Sequence, residues 1–263
     1  MELDDAYANA PYIPGAADYP PRWQTEADAY RTRLAVSGKA RLGLMYGHGT
    51  RQALDLFLPD GLVQGLVVFV HGGYWMRFDR SDWSHLAEGA RLHGWAVALP
   101  SYDLCPRVTI PDITRQVAQA ISVAAREVEG PIHLTGHSAG GQQVARMCAA
   151  GVLPEDVASR LGHVMPISPV ADLRPLLKTS MNQQLGLDEA MAESESPVLQ
   201  PAPSCKTTLW VGAEERPAFL DQARWLAEAW GAGHVVEPDR HHFDVVDGLA
   251  DPDSRMTKAL LSL

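Results

Sequence analysis

From about residue 40 onward, short apolar runs alternate with longer segments of helical period. Residues 53–58 alternate apolar and polar positions with period two, as a half-buried strand does. Residues 66–70, LVVFV, are a continuous apolar and β-branched run, the pattern of a strand covered on both faces. A helical stretch over 82–92 is closed by Gly94, and the next strand covers 95–99. Pro111 near its start and Gly130 just past its end frame a helix over 112–128. A short strand at 132–135 runs into GHSAG, and a helix over 139–149 follows, stopping near Gly151. Strands at 164–167, 207–211 and 234–237, a helix over 217–230 and a last helix ending near Leu260 complete the alternation. Buried strands alternating with helices predict an α/β fold: a mostly parallel central sheet with helices on both faces. Two segments break the rhythm. Residues 1–22, rich in Pro, Tyr and Ala, read as an extended arm over the body. Residues 172–203, polar, Met- and Gln-containing and bounded by Pro, read as a small cap or insertion over one end of the sheet. One domain spanning 1–263 is the economical count.

Composition narrows the class. Apolar residues are 46% and charged residues 21%, which is ordinary globular usage and excludes disorder and fibrous repeats. A net charge of −10 argues against nucleic acid or anionic lipid as a general partner, because the mean field repels phosphate. Cys105, Cys148 and Cys205 are odd in number and widely spaced, so neither a disulfide framework nor a zinc knuckle is readable. A reducing, cytoplasmic setting is expected. The acidic N-terminus shows no signal-peptide pattern, and no apolar run reaches membrane-spanning length. The oligomeric state is open, with a homodimer as one option.

The chemistry-bearing motif is Gly136-His137-Ser138-Ala139-Gly140, a G-x-S-x-G between a good strand and a good helix. That setting puts a serine on a tight strand-to-helix turn, with its hydroxyl clear of the sheet. Its neighbours two residues away must lack side chains, and the helix N-terminus behind it favours negative charge. Acyl transfer also needs two backbone N–H donors aimed at the developing oxyanion. Ala139, the residue after the serine, supplies one. The other is expected from His71-Gly72-Gly73-Tyr74-Trp75, after the most apolar strand; Gly73 is preferred, with Gly72 or Tyr74 as alternatives.

A serine needs a base, and the base an orienting acid. In the order Ser…acid…His, the histidine follows the last strand, where His241 and His242 stand; His242 is preferred. The acid is expected after strand 207–211. Glu215, three residues beyond Gly212, is preferred over Glu214, and Asp172 is a third candidate that fits a helix cap better. None of the ten histidines has H-E-x-x-H or similar spacing, so neither a metal nor another cofactor is expected.

Together these residues resemble the kynurenine formamidase (arylformamidase) branch of the α/β-hydrolases. HGGYW with a later GHSAGG carries the resemblance. It extends to Tyr102-Asp103-Leu104 with Pro106, Asp172-Leu173-Arg174-Pro175, Thr179-Ser180 with Asn182, Pro217-Ala218-Phe219 with Gln222, and His242-Phe243. The opening DDAYAN is also similar, so coverage is nearly the whole chain. The resemblance implies an amidase or esterase acting on a small-molecule substrate, with a Ser–acid–His triad and no metal. Members of the branch often carry Asp as the acid, whereas this chain has Glu-Glu. N-formylkynurenine is the expected substrate, with Tyr74, Trp75 and Tyr102 expected beside its aryl ring. A short-chain carboxylesterase or thioesterase is the alternative, and a non-catalytic hydrolase-like binding protein is the reading from another class.

Overall fold

The computed structural model describes residues 1–263. Its strands are β1 (Ala40–Met45), β2 (Ala53–Phe57), β3 (Leu66–Val70), β4 (Ala96–Pro100), β5 (Ile132–His137), β6 (Leu161–Ile167), β7 (Lys206–Gly212) and β8 (Gly233–Glu237). They form one sheet in the order β1-β2-β4-β3-β5-β6-β7-β8. β2 runs antiparallel to β1 and β4, and every other pairing is parallel. The helices are α1 (Tyr19–Val36), α2 (Glu88–Leu92), α3 (Ile110–Glu127), α4 (Ala139–Arg146), α5 (Glu155–Ala158), α6 (Asn182–Leu185), α7 (Glu189–Ser194), α8 (Pro217–Trp230) and α9 (Arg255–Leu261). This is the expected α/β-hydrolase architecture. No helix is long and apolar enough to cross a membrane.

The period of two explains the two cores. On β3, Leu66, Val68 and Val70 join Ile113, Val117 and Ile121 of α3 and Val144 of α4. Val67 and Phe69 join Trp23, Tyr30 and Leu34 of α1 and Met256 and Leu260 of α9 on the opposite face. All five β3 residues are buried, as a strand covered on both faces requires. α3 begins with a capping box, in which Thr109 and Asp112 each satisfy the other's backbone N–H.

Two local expectations, the extended arm and the single helix over 82–92, need correction, and the pattern does not announce α1 or β1. Residues 1–22 are not extended: Ala10–Tyr12 and Ala16–Asp18 are single 3-10 turns, and α1 begins at Tyr19. Pro11 fits the first turn of one and Gly15, at φ +65°, enters the other. The arm does lie on the body, where Gln222 donates to the Tyr7 hydroxyl at 2.8 Å and Arg216 pairs with Asp5 at 2.7 Å. α1 went unread because its buried positions, Trp23, Ala27, Tyr30 and Leu34, keep helical spacing but sit among charged residues. The stretch 82–92 is broken into 3-10 turns at Arg80–Asp82 and Ser84–Ala87 before α2. β1 is an edge strand with mostly exposed side chains, so it lacks a hydrophobic signature. Residues 172–203 fold as α6, α7 and two 3-10 turns between β6 and β7.

Buried histidines give the fold a pH dependence. Burial holds His71, His85, His133 and His163 down at about 4, and His137 well below its usual value. Unfolded, each titrates near its ordinary value of about 6.5. Their contribution is therefore complete above that value and is lost as pH falls toward 4. The loss is up to about 1.4 kcal/mol per histidine per pH unit. Asp247, which burial raises to about 6, acts oppositely: its contribution is present in acid and lost as pH rises toward 6. The histidines outnumber it. Urea-unfolding midpoints are expected to drop between about pH 7 and pH 5; a level or rising midpoint contradicts this account.

Candidate active site

Five strands of the parallel part deliver residues at their carboxyl ends, the end where open α/β sheets bind ligands. Gly72 and Gly73 follow β3, Ser138 follows β5, Ser168 follows β6, Glu215 follows β7 and His242 follows β8. Ser138 alone separates β5 from α4, at φ 57° and ψ −115°. Only a turn this tight connects the two elements, and its neighbours show why they are glycine. A Cβ on Gly136 would stand 2.4 Å from the Gly140 carbonyl oxygen, and one on Gly140 only 1.9 Å from that of Val70.

Gly72 lies against this turn: a Cβ there would be 3.0 Å from the Ser138 Cβ. Gly73, at φ +106°, closes the loop, and the amides of Met76 and Arg77 both donate to its carbonyl at 3.0 Å. The N–H groups of Gly72, Gly73 and Ala139 are engaged by no protein acceptor. His71 braces the loop from behind. Its Nδ1 donates to the Gly72 carbonyl at 2.8 Å, its ring stacks on Tyr102 at 4.3 Å, and the Tyr102 hydroxyl donates to the His71 carbonyl at 2.8 Å. Trp75 is equally buried, with its indole N–H on Gln142 at 3.1 Å. Trp75 and Tyr102 are therefore supports for the loop, not lining of the site as the sequence suggested. Tyr74 does reach the cavity, donating to the Tyr7 carbonyl and accepting from Asn9, both at 2.8 Å.

The two glutamates after β7 part company. Glu214 is exposed, whereas the Glu215 side chain is fully buried. His242 Nδ1 donates to Glu215 Oε2 at 2.6 Å, which leaves Nε2 as the ring's free nitrogen. Glu215 Oε1 accepts from the Gly212 amide at 3.0 Å and from the Ser168 hydroxyl. Asp172 is elsewhere: it caps the turn beginning at Arg174, whose amide it accepts at 3.0 Å, and pairs with that side chain at 2.7 Å. His241 faces Tyr19 and Asp244 instead. Ser168 was missed by sequence reasoning. It lies just past β6, at φ +47°, and becomes a partner of Glu215 only because β6 and β7 are neighbours.

The His242 ring is held by Phe219 at 4.3 Å and His137 at 4.6 Å between centroids. It opens with Ser138 onto a cavity of about 610 Å³. One wall is aromatic: Trp23 meets Trp83 at 4.5 Å, Phe243 at 5.5 Å and Phe78 at 5.8 Å. The rest of the lining includes Ala8, Pro11 and Ala17 of the arm, Pro20 at the start of α1, and Ser180 and Met181 of the segment before β7. Such a site suits a nucleophile–base–acid relay beside a flat apolar group.

Known proteins resemble this chain along most of its length. Kynurenine formamidase of Salmo salar is 26% identical over 238 residues, covering 84% of this chain and 81% of that protein. Its Drosophila melanogaster counterpart is 29% identical over 241 residues, covering 84% and 80%. A solved structure from a Silicibacter species, described as a candidate thioesterase, is 57% identical over 100% of both chains, with a TM-score of 0.97. The sequence profile of the alpha/beta hydrolase family matches residues 67–255. With that profile across most of its length and the sheet order described above, the chain belongs to the alpha/beta hydrolase family.

Proposed function

We propose that the protein is a serine hydrolase that cleaves N-formyl aryl amides, with N-formylkynurenine as the representative substrate. The carrying observation is the buried Glu215–His242 contact at 2.6 Å, opening onto the same cavity as Ser138. His242 Nε2 takes the Ser138 proton as the hydroxyl oxygen bonds to the formyl carbon. The amides of Ala139 and Gly73 stabilise the resulting oxyanion. Collapse breaks the C–N bond, and His242 returns the proton to the leaving aniline nitrogen. Water, deprotonated by the same histidine, then attacks the formyl-serine; the C–Oγ bond breaks, His242 returns the proton to Ser138 Oγ, and formate leaves. Glu215 keeps the proton on Nδ1 and stabilises the imidazolium. The aromatic wall and the formamidase relatives support the aryl formamide as substrate.

The 57% identity to the Silicibacter protein supports a second reading, thioester hydrolysis by the same triad. A panel of N-formylkynurenine, p-nitrophenyl acetate and acyl-thioesters separates the two. Efficient formamide turnover is expected. Strong thioester or ester turnover with no detectable formamide turnover removes the first reading.

A further inference from the structure

The charges lining the cavity are unevenly matched. Apart from its histidines, Asp4 and Arg77 are the acidic and basic residues whose side chains carry charge at neutral pH. Asp4 is already engaged: its carboxylate pairs with the N-terminal ammonium and accepts the Ser180 amide at 2.6 Å. Asp5 beside it is matched by Arg216 at 2.7 Å. Arg77 is exposed and is among the residues that line the cavity, and its guanidinium has neither a carboxylate nor a carbonyl partner. In a chain of net charge −10, an unmatched cation at that place stands against the prevailing field.

Its backbone is fixed next to the reacting end of the site. The Arg77 amide donates to the Gly73 carbonyl, and its own carbonyl oxygen would lie 2.6 Å from a Cβ on Gly73. Phe78 follows and joins Trp23 and Trp83 in the aromatic wall. A ligand with its reacting carbonyl at Gly73 and its ring on that wall has Arg77 within the same loop, on the solvent side.

We propose that Arg77 is a specificity residue that binds a carboxylate carried on the aryl leaving group, so the preferred substrates are anionic or zwitterionic aryl amides. The inference rests on the hydrolase reading of this cavity. A guanidinium presents a planar fork of donors that matches a carboxylate, and its charge cannot be titrated away at working pH. The contact exists in both ground and transition states, so it acts on KM more than on kcat.

Matched pairs test it: formanilide against 4-formamidobenzoate, and phenyl acetate against 4-acetoxybenzoate. The wild type is expected to favour the carboxylate member by roughly three- to tenfold in kcat/KM. Arg77→Gln should bring that ratio near one through KM, Arg77→Lys should keep part of it, and Arg77→Glu should invert it. Raising salt from about 50 to about 500 mM should erode the preference in the wild type and not in Arg77→Gln. A ratio unchanged in Arg77→Gln, or a loss falling equally on both members, overturns the proposal. Turnover of the esters alone removes the formamide reading while the same ratio still decides the role of Arg77. Binding of each pair to Ser138→Ala, read by tryptophan fluorescence, gives the same ratio without turnover.

Discussion

Ser138→Ala is expected to lower kcat on every acyl substrate by roughly 10⁴- to 10⁶-fold. The substitution keeps the Cβ and the backbone shape of the elbow at φ 57°, so the fold should survive. What it removes is the hydroxyl oxygen that opens onto the cavity beside His242. A small residual rate is expected, since the unengaged amides and the aromatic wall still bind substrate. A fluorophosphonate probe should label the wild type once per chain and leave the variant untouched. A variant that is labelled, or that retains activity within about a hundredfold of wild type, assigns the nucleophile elsewhere.

The second large effect belongs to Glu215. Glu215→Gln should cost roughly 10³- to 10⁴-fold in kcat, a loss caused by hydrogen-bond polarity more than by lost charge. Oε1 receives two donors, the Gly212 amide and the Ser168 hydroxyl, so a glutamine must place its carbonyl oxygen there. Its NH₂ group then points at His242 Nδ1 and forces the ring's proton onto Nε2. In that tautomer the ring cannot accept a proton from Ser138. Glu214→Gln, altering an exposed side chain, should stay within about twofold of wild type. Comparable losses in both variants, or a larger one in Glu214→Gln, would move the acid off Glu215.

These two outcomes bear differently on what the chain reveals before it folds. Ser138 is legible because its constraint is local: a strand, a tight turn and a helix, with glycine wherever a Cβ would strike backbone. β3 and α3 are legible for the same reason, since LVVFV needs cover on both faces and Pro111 and Gly130 frame a helix. Glu214 and Glu215, by contrast, are adjacent identical side chains. Period and composition prefer neither, and the preference for Glu215 came from its offset along the loop. Their separation into exposed and buried is a property of where the loop sits between β6 and His242.

The aromatic residues teach the same point by failing. Tyr74, Trp75 and Tyr102 were all expected beside the substrate ring; Tyr74 reaches the cavity, yet Trp75 and Tyr102 are spent on bracing the glycine loop. The ring wall is supplied by Trp23, Phe78, Trp83 and Phe243, which span 220 positions of chain. Nor does any periodicity announce that residues 4–20 contribute to the lining.

The sequence by itself therefore determined the layered α/β class, the succession of buried strands along the chain, the tight turn at Ser138 and the glycine loop. Each of those follows from sterics and hydrophobic period acting over a few residues. Only the tertiary structure decided which glutamate meets His242, that Ser168 holds it, which aromatics form the wall and that Arg77 is left without a partner. Those facts depend on distances between segments far apart in the chain, and such distances are set by packing the whole sheet and its helices at once.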